Sequence, residues 1–99
     1  MPRSASKRLD WAREALDEFD AAMSFYAERN PGVADRMADE IIEAARLLID
    51  PFPTPGKPGR AAGTFERVIG RRTPFTLVYR ERKGIVQILR VLHQARKYP

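Results

Sequence analysis

Apolar residues in this chain pass from helical spacing to alternation near its middle, and that change fixes most of what it can fold into. Ala12, Ala15, Leu16, Phe19, Ala22, Met23 and Tyr26 recur at three- and four-residue intervals, as do Ala34, Met37, Ala38, Ile41, Ala45 and Leu48. Each set is the stripe of an amphipathic helix. Asn30-Pro31 separates them: asparagine is a good N-cap, and proline fits the first helical position, where its missing N–H has no partner anyway. The second helix runs to about Ile49 and stops at Pro51, which pushes its predecessor out of the helical region. Two helices joined around Asn30 form an antiparallel hairpin. Arg36 and Glu40 stand four apart and Glu43 and Arg46 three apart, spacings that permit pairing.

Beyond residue 63 the period becomes two. Thr64 to Ile69 is β-prone, and Gly70 to Thr73 reads as a turn. Over 74–81, Phe75, Leu77 and Tyr79 alternate with Thr76, Val78 and Arg80. Arg82-Lys83-Gly84 makes a hairpin turn. Ile85 to Leu92 is apolar on both faces, as a central strand is. Leu9 and Trp11, straddling Asp10, predict a brief strand before the first helix. Between helices and strands lies DPFPTPGKPGRAAG, residues 50–63, where four prolines and three glycines argue against regular structure. A loop longer than about 12 residues in a compact domain is often functional. The expectation is one α+β domain over residues 1–99, ordered β-α-α-β-β-β, with the helical hairpin packed on a mainly antiparallel sheet.

Charge divides along the same line. Residues 1–50 carry 7 Lys/Arg and 11 Asp/Glu, or 7 − 11 = −4; residues 51–99 carry 11 and 2, or 11 − 2 = +9. A basic half suits an acidic partner, whether nucleic acid or an acidic protein surface; its bland alternative is a cationic surface kept for solubility. The acidic run Glu14, Asp17, Glu18 and Asp20 complements the positive end of a helix dipole and otherwise reads as solvated charge.

Several chemistries drop out. With no cysteine and one histidine there is no disulfide, no cysteine nucleophile and no ordinary zinc cluster, so no metal or cofactor is expected. Gly56-Lys57-Pro58-Gly59 is proline-locked and joins no strand to a helix, so it is not a phosphate loop. No serine sits in a nucleophile elbow. No apolar run approaches the roughly 18 residues of a membrane span. Met1 to Arg8 is basic but is followed by no apolar core of a signal peptide, so a cytoplasmic protein is expected.

What remains is a set of cations interleaved with rings. Arg67, Arg71, Arg72, Arg80, Arg82, Arg90, Arg96 and Lys97 lie on strands, turns and tail, among Phe65, Tyr79, His93 and Tyr98. Such a surface suits stacking on single-stranded RNA or docking on an acidic protein. His93 is the one side chain whose ordinary titration falls near neutral pH. Tyr98 has the chemistry to orient a phosphate. Each also has a structural reading: His93 as a strand-end cap, Tyr98 as a ring packed on the sheet edge.

Specific motifs then accumulate: Trp11; Arg29-Asn30-Pro31; Gly56-Lys57-Pro58-Gly59-Arg60; Gly63-Thr64-Phe65-Glu66; Pro74 to Arg80; and Ile88 to Arg96. In this order and spacing the chain resembles the RelE/ParE superfamily of bacterial toxins over nearly its whole length, and its ending RVLHQARKYP is most similar to the ParE branch. The resemblance implies an antitoxin similar to ParD, supplying acidic and apolar residues to a surface that includes Phe19, Tyr26, Lys57, Arg60, Arg71 and Arg72. It implies a target as well: DNA gyrase for ParE-type toxins, the ribosome and its mRNA for RelE-type toxins. A RelE-like nuclease here would rely on Arg67, His93, Arg96 and Tyr98. However, Thr76 follows Phe75 where such enzymes place an arginine, and Ile69 replaces another basic residue. This favours a toxin that binds rather than cuts, with Arg67, Arg80, Arg90, His93, Arg96 and Tyr98 toward its target. Phe65 departs from the ParE branch, which often has arginine there. A diverged, non-toxic binding module is the third reading.

Overall fold

The computed structural model describes residues 7–50, 56–70 and 72–94. Strand β1 (Arg8–Trp11) leads into helix α1 (Arg13–Arg29), helix α2 (Pro31–Leu47), and strands β2 (Lys57–Pro58), β3 (Phe65–Val68), β4 (Phe75–Arg82) and β5 (Ile85–His93). The sheet order is β1-β5-β4-β3-β2; β1 runs parallel to β5 and every other pair is antiparallel. The expected α+β arrangement, a helical hairpin on a mainly antiparallel sheet, is what the chain adopts.

Local chemistry accounts for the junctions. Asn30 caps α2 by accepting from the Val33 N–H at 3.2 Å, with Pro31 in the first turn. α1 starts after Ala12, which offers no side-chain cap. Lys83 and Gly84 both take positive φ, 51° and 78°, the signature of a two-residue turn whose twist matches the strands it joins. On α2, Glu43 accepts from Arg46 at 2.6 Å and 3.1 Å, and that bond holds the Glu43 carboxyl below its ordinary value. Arg36 and Glu40 do not pair with each other. Both reach the β3–β4 turn instead, where Arg36 donates to the Arg72 carbonyl at 3.1 Å and Glu40 accepts from the buried Thr73 hydroxyl.

The core lies between the helices and one face of the sheet. Ala15 of α1 and Met37, Ile41, Ala44, Ala45 and Leu48 of the second helical segment meet Phe75, Leu77, Tyr79, Val86, Ile88 and Val91. Leu16, expected in the buried stripe of α1, is 42% exposed. Hydrophobic burial of each fully enclosed large side chain here contributes roughly 1.5–3 kcal/mol.

β2 corrects one expectation. Residues 50–63 were to lack regular structure, yet Lys57–Pro58 pairs with Glu66 and Phe65. Proline donates no hydrogen bond, but an edge strand needs partners on one side only. The Gly56 N–H donates to the Tyr79 hydroxyl at 2.8 Å, and a Cβ at Gly56 would stand 2.5 Å from the Glu66 carbonyl oxygen. Gly56→Ala should therefore detach β2, because releasing a two-residue edge strand costs less than deforming β3. The expected result is faster amide exchange at Gly59, whose N–H donates to Thr64 at 2.8 Å, with Leu77 protection unchanged. Equal protection at Gly59 in the two proteins would refute it.

A bulge in β5 decides which face its last residues occupy. Val78 pairs with Arg90 and Tyr79 with Ile88, leaving Leu89 as an extra residue. An unpaired residue resets the alternation of a strand. Val86, Ile88 and Val91 consequently all face the core, where strict alternation from Val86 would turn Val91 outward.

Candidate functional site

The end of β5 carries two of the groups that the sequence singles out, Arg90 and His93, and α1 engages both. β1 stops pairing at Trp11↔Ile88, so among the described residues the edge of β5 beyond Ile88 has no neighbouring strand. Glu18 of α1 closes that edge. One carboxylate oxygen accepts the Val91 N–H at 2.8 Å; the other accepts from Arg90 Nη2 at 2.6 Å and Nε at 2.9 Å. Glu14 stands 3.7 Å from Arg90 Nε. The Glu18 and Arg90 side chains are only 24% and 28% exposed. Arg90, assigned from sequence to target contact, is thus neutralised within the chain. Glu18 is correspondingly more than a solvated dipole-complementing charge.

His93 closes the same strand. Its Nε2 lies 2.8 Å from the Tyr26 hydroxyl, its ring stacks near that of Tyr26 (11° between planes), and Phe75 meets it edge-on with centroids 5.1 Å apart. The contact with Tyr26 suits both ring states, since a phenol donates to a neutral imidazole nitrogen and accepts from a protonated one. Phe75, 2% exposed, packs on both partners, so the trio is anchored in the core. His93 is a strand-end residue whose Nε2 is engaged by Tyr26.

The remaining candidate cations divide between the two faces of the sheet. Arg67 pairs across β3–β4 with Leu77 and so shares the helix-side face with His93, whose partner is Phe75. Two strand spacings and two residues of rise separate their Cα positions by roughly 12 Å. Arg80 sits on the opposite face, donates to Gln87 at 3.3 Å, and has Arg90 nearby across from Val78. Arg67, Arg80 and Arg90 therefore form no single patch. Arg96, Tyr98 and Arg71 lie outside the described residues.

The residues expected to meet an antitoxin also divide. Phe19 and Tyr26 are half-buried on α1, Phe19 edge-on to Trp11 at 6.2 Å. Lys57 on β2, Arg60 in the β2–β3 turn and Arg72 in the β3–β4 turn are exposed. The hairpin adds apolar surface that the periodicity did not single out: Phe25 is 42% and Ile42 50% exposed, and Arg29 stacks on the Phe25 ring at 3.8 Å. Among the described residues no acidic or histidine cluster is arranged to hold a metal ion, and no helix is long and apolar enough to cross a membrane.

Residues 9–98 match the family model described as the ParE toxin of the type II toxin–antitoxin system parDE. The chain belongs to the ParE toxin family. Among solved structures, a chain of the chromosomal ParDE toxin–antitoxin system from P. aeruginosa is 26% identical, with 91% of this toxin and 98% of that chain covered and a TM-score of 0.80. More distant likenesses show the shared fold. The YoeB/ParE toxin from Agrobacterium tumefaciens is 19% identical, covering 87% and 96% of the two chains at a TM-score of 0.57. A chain of the YoeB–YefM complex from Staphylococcus aureus is 18% identical, covering 90% and 98% at 0.57. No curated relative matches the toxin's sequence.

Sequence reasoning missed the contacts that organise this end of the toxin. Glu18 and Arg90 are 72 residues apart, as Tyr26 and His93 are 67 apart. The one available signal was an acidic residue on the helix face next to the apolar stripe.

Proposed function

We propose that this type II toxin acts in the cytoplasm by binding DNA gyrase, without bond-breaking chemistry of its own, and is held inactive by a ParD-like antitoxin. The observation that carries the reading is the state of the end of β5. A nuclease needs a base for the 2′-hydroxyl, an acid for the leaving oxygen and cations on the phosphate. Here His93 has one nitrogen on Tyr26, Arg90 is paired with Glu18, and Thr76 follows Phe75 where RelE-like enzymes have arginine. Membership of the ParE family supports the same direction.

In this reading Arg67 and His93 on the helix side, Arg80 on the open face, and Arg96 and Tyr98 of the tail contribute the target surface. Arg90 serves as a structural anchor. The antitoxin lies over the exposed apolar part of the hairpin near Phe19 and Tyr26, and its carboxylates meet Lys57, Arg60, Arg71 and Arg72.

Inducing the toxin alone in bacteria tests the reading at the level of the cell. The expected outcome is growth arrest with an induced DNA-damage response and continuing protein synthesis, relieved by co-expressing a ParD-like partner. Immediate translation shutdown with cleaved mRNA would identify a ribosome-directed nuclease, and unimpeded growth would identify a non-toxic binding module.

A further inference from the structure

Helix α1 makes two contacts with β5 beyond the point where β1 stops pairing. The bulge at Leu89 turns the Val91 N–H toward α1, where Glu18 accepts it while pairing with Arg90. Eight residues further along α1, the Tyr26 hydroxyl holds the imidazole of His93, two residues further along the strand. Simple closure of a strand edge needs one acceptor. Here a charged group pairs with the flanking arginine as well, and a second polar contact fixes the side chain at the strand's last position.

We propose that Glu18 and Tyr26 form a two-point clamp by which α1 sets the position of the β5 end, and that both are positioning residues for the toxin's action. The clamp stands on the geometry; its consequence for action rests on the target reading above. Glu18 acts through Val91 and Arg90, Tyr26 through His93, and neither needs to touch the target. At the Glu18 end of the clamp Glu14 stands 3.7 Å from Arg90 Nε, and at the His93 end Gln94 donates to the Phe75 carbonyl at 3.0 Å.

The test compares the full-length toxin with Glu18→Gln, Glu18→Ala and Tyr26→Phe. A Val86→Ala variant, cut in the core at the far end of β5, serves as a control for destabilisation alone. Amide exchange, the imidazole nitrogen NMR shifts of His93 and the inducer dose needed for growth arrest are measured. With Glu18→Ala, exchange at Val91 should rise at least tenfold while Ile41 stays protected, and the dose for arrest should rise at least fivefold. Glu18→Gln, which keeps an oxygen for the Val91 N–H, should restore much of both. Tyr26→Phe keeps the ring; it should move the His93 shifts and raise the dose at least threefold, whereas Val86→Ala should leave the dose unchanged.

Full potency in Glu18→Ala or Tyr26→Phe despite a loosened Val91 or a shifted His93 would overturn the proposal, as would loss of potency matched by Val86→Ala. Unchanged exchange at Val91 in a folded Glu18→Ala protein would overturn the clamp itself. If Glu18→Ala does not fold, Tyr26→Phe carries the test: full potency despite shifted His93 signals would overturn the proposal. Because exchange and growth arrest assume no particular target, the clamp can hold even if purified gyrase proves unaffected, and that result would count against the target reading alone.

Discussion

Phe75→Ala should be the most destabilising single truncation near the site, costing about 3–5 kcal/mol and lowering the thermal midpoint by at least about 12 °C for a domain of this size. Phe75 is 2% exposed and packs at once on the core and on the edges of Tyr26 and His93. Its loss leaves a cavity under the aromatic trio, which the surrounding helices cannot fill without moving. The effect should therefore reach function: the His93 imidazole should lose its fixed environment, seen as altered nitrogen shifts in whatever fraction remains folded. Denaturant unfolding at fixed temperature measures the first part. A loss below about 1 kcal/mol would mean that the end of β5 is held by its polar contacts and not by this ring.

Arg90→Met carries the second large effect, and its size depends on burial. An exposed ion pair contributes little, because water screens it and ordering two side chains costs entropy. Glu43–Arg46 is of that kind. Arg90 and Glu18 are about three-quarters buried and share two short hydrogen bonds. Removing one partner leaves the other charge partly desolvated, so Arg90→Met alone should cost about 2 kcal/mol. Glu18→Gln combined with Arg90→Met removes both charges while keeping an acceptor for Val91, and should recover about half of that loss. The cycle of single and double variants isolates the coupling. Strict additivity would show that the pair contributes nothing beyond its separate groups.

How much of this could be read in the sequence follows from what kind of pattern carried each feature. The helical hairpin was legible because Ala34, Met37, Ile41, Ala45 and Leu48 repeat at helical spacing, and because Asn30-Pro31 announces a start in local chemistry alone. β4 was legible from the alternation of Phe75, Leu77 and Tyr79. β2 was not: Pro58 reads as a breaker, and only its position on a sheet edge makes it compatible with pairing. Arg36 and Glu40 have the spacing of an ion pair, but the β3–β4 turn offers each a different partner.

The site was harder to read for a related reason. Alternation assigns a residue to a face within one strand, but it does not foresee an inserted residue. Leu89 shifts the count, so Val91 faces inward and its N–H meets Glu18. Register between strands is likewise a tertiary property. It places Arg67 and Arg80 on opposite faces, although in sequence they look like members of one basic surface. The acidic run of α1 reads in sequence as solvated charge, yet Glu18 from that run and Tyr26 from the same helix organise the end of β5.

The central claim is that the toxin grips gyrase and performs no cleavage itself. Purified toxin should be added to gyrase with relaxed plasmid and ATP, and in parallel to ribosomes programmed with a defined mRNA. The account predicts loss of supercoiling with accumulation of gyrase-cleaved DNA, and intact mRNA. Normal supercoiling together with mRNA cut on the ribosome would contradict it.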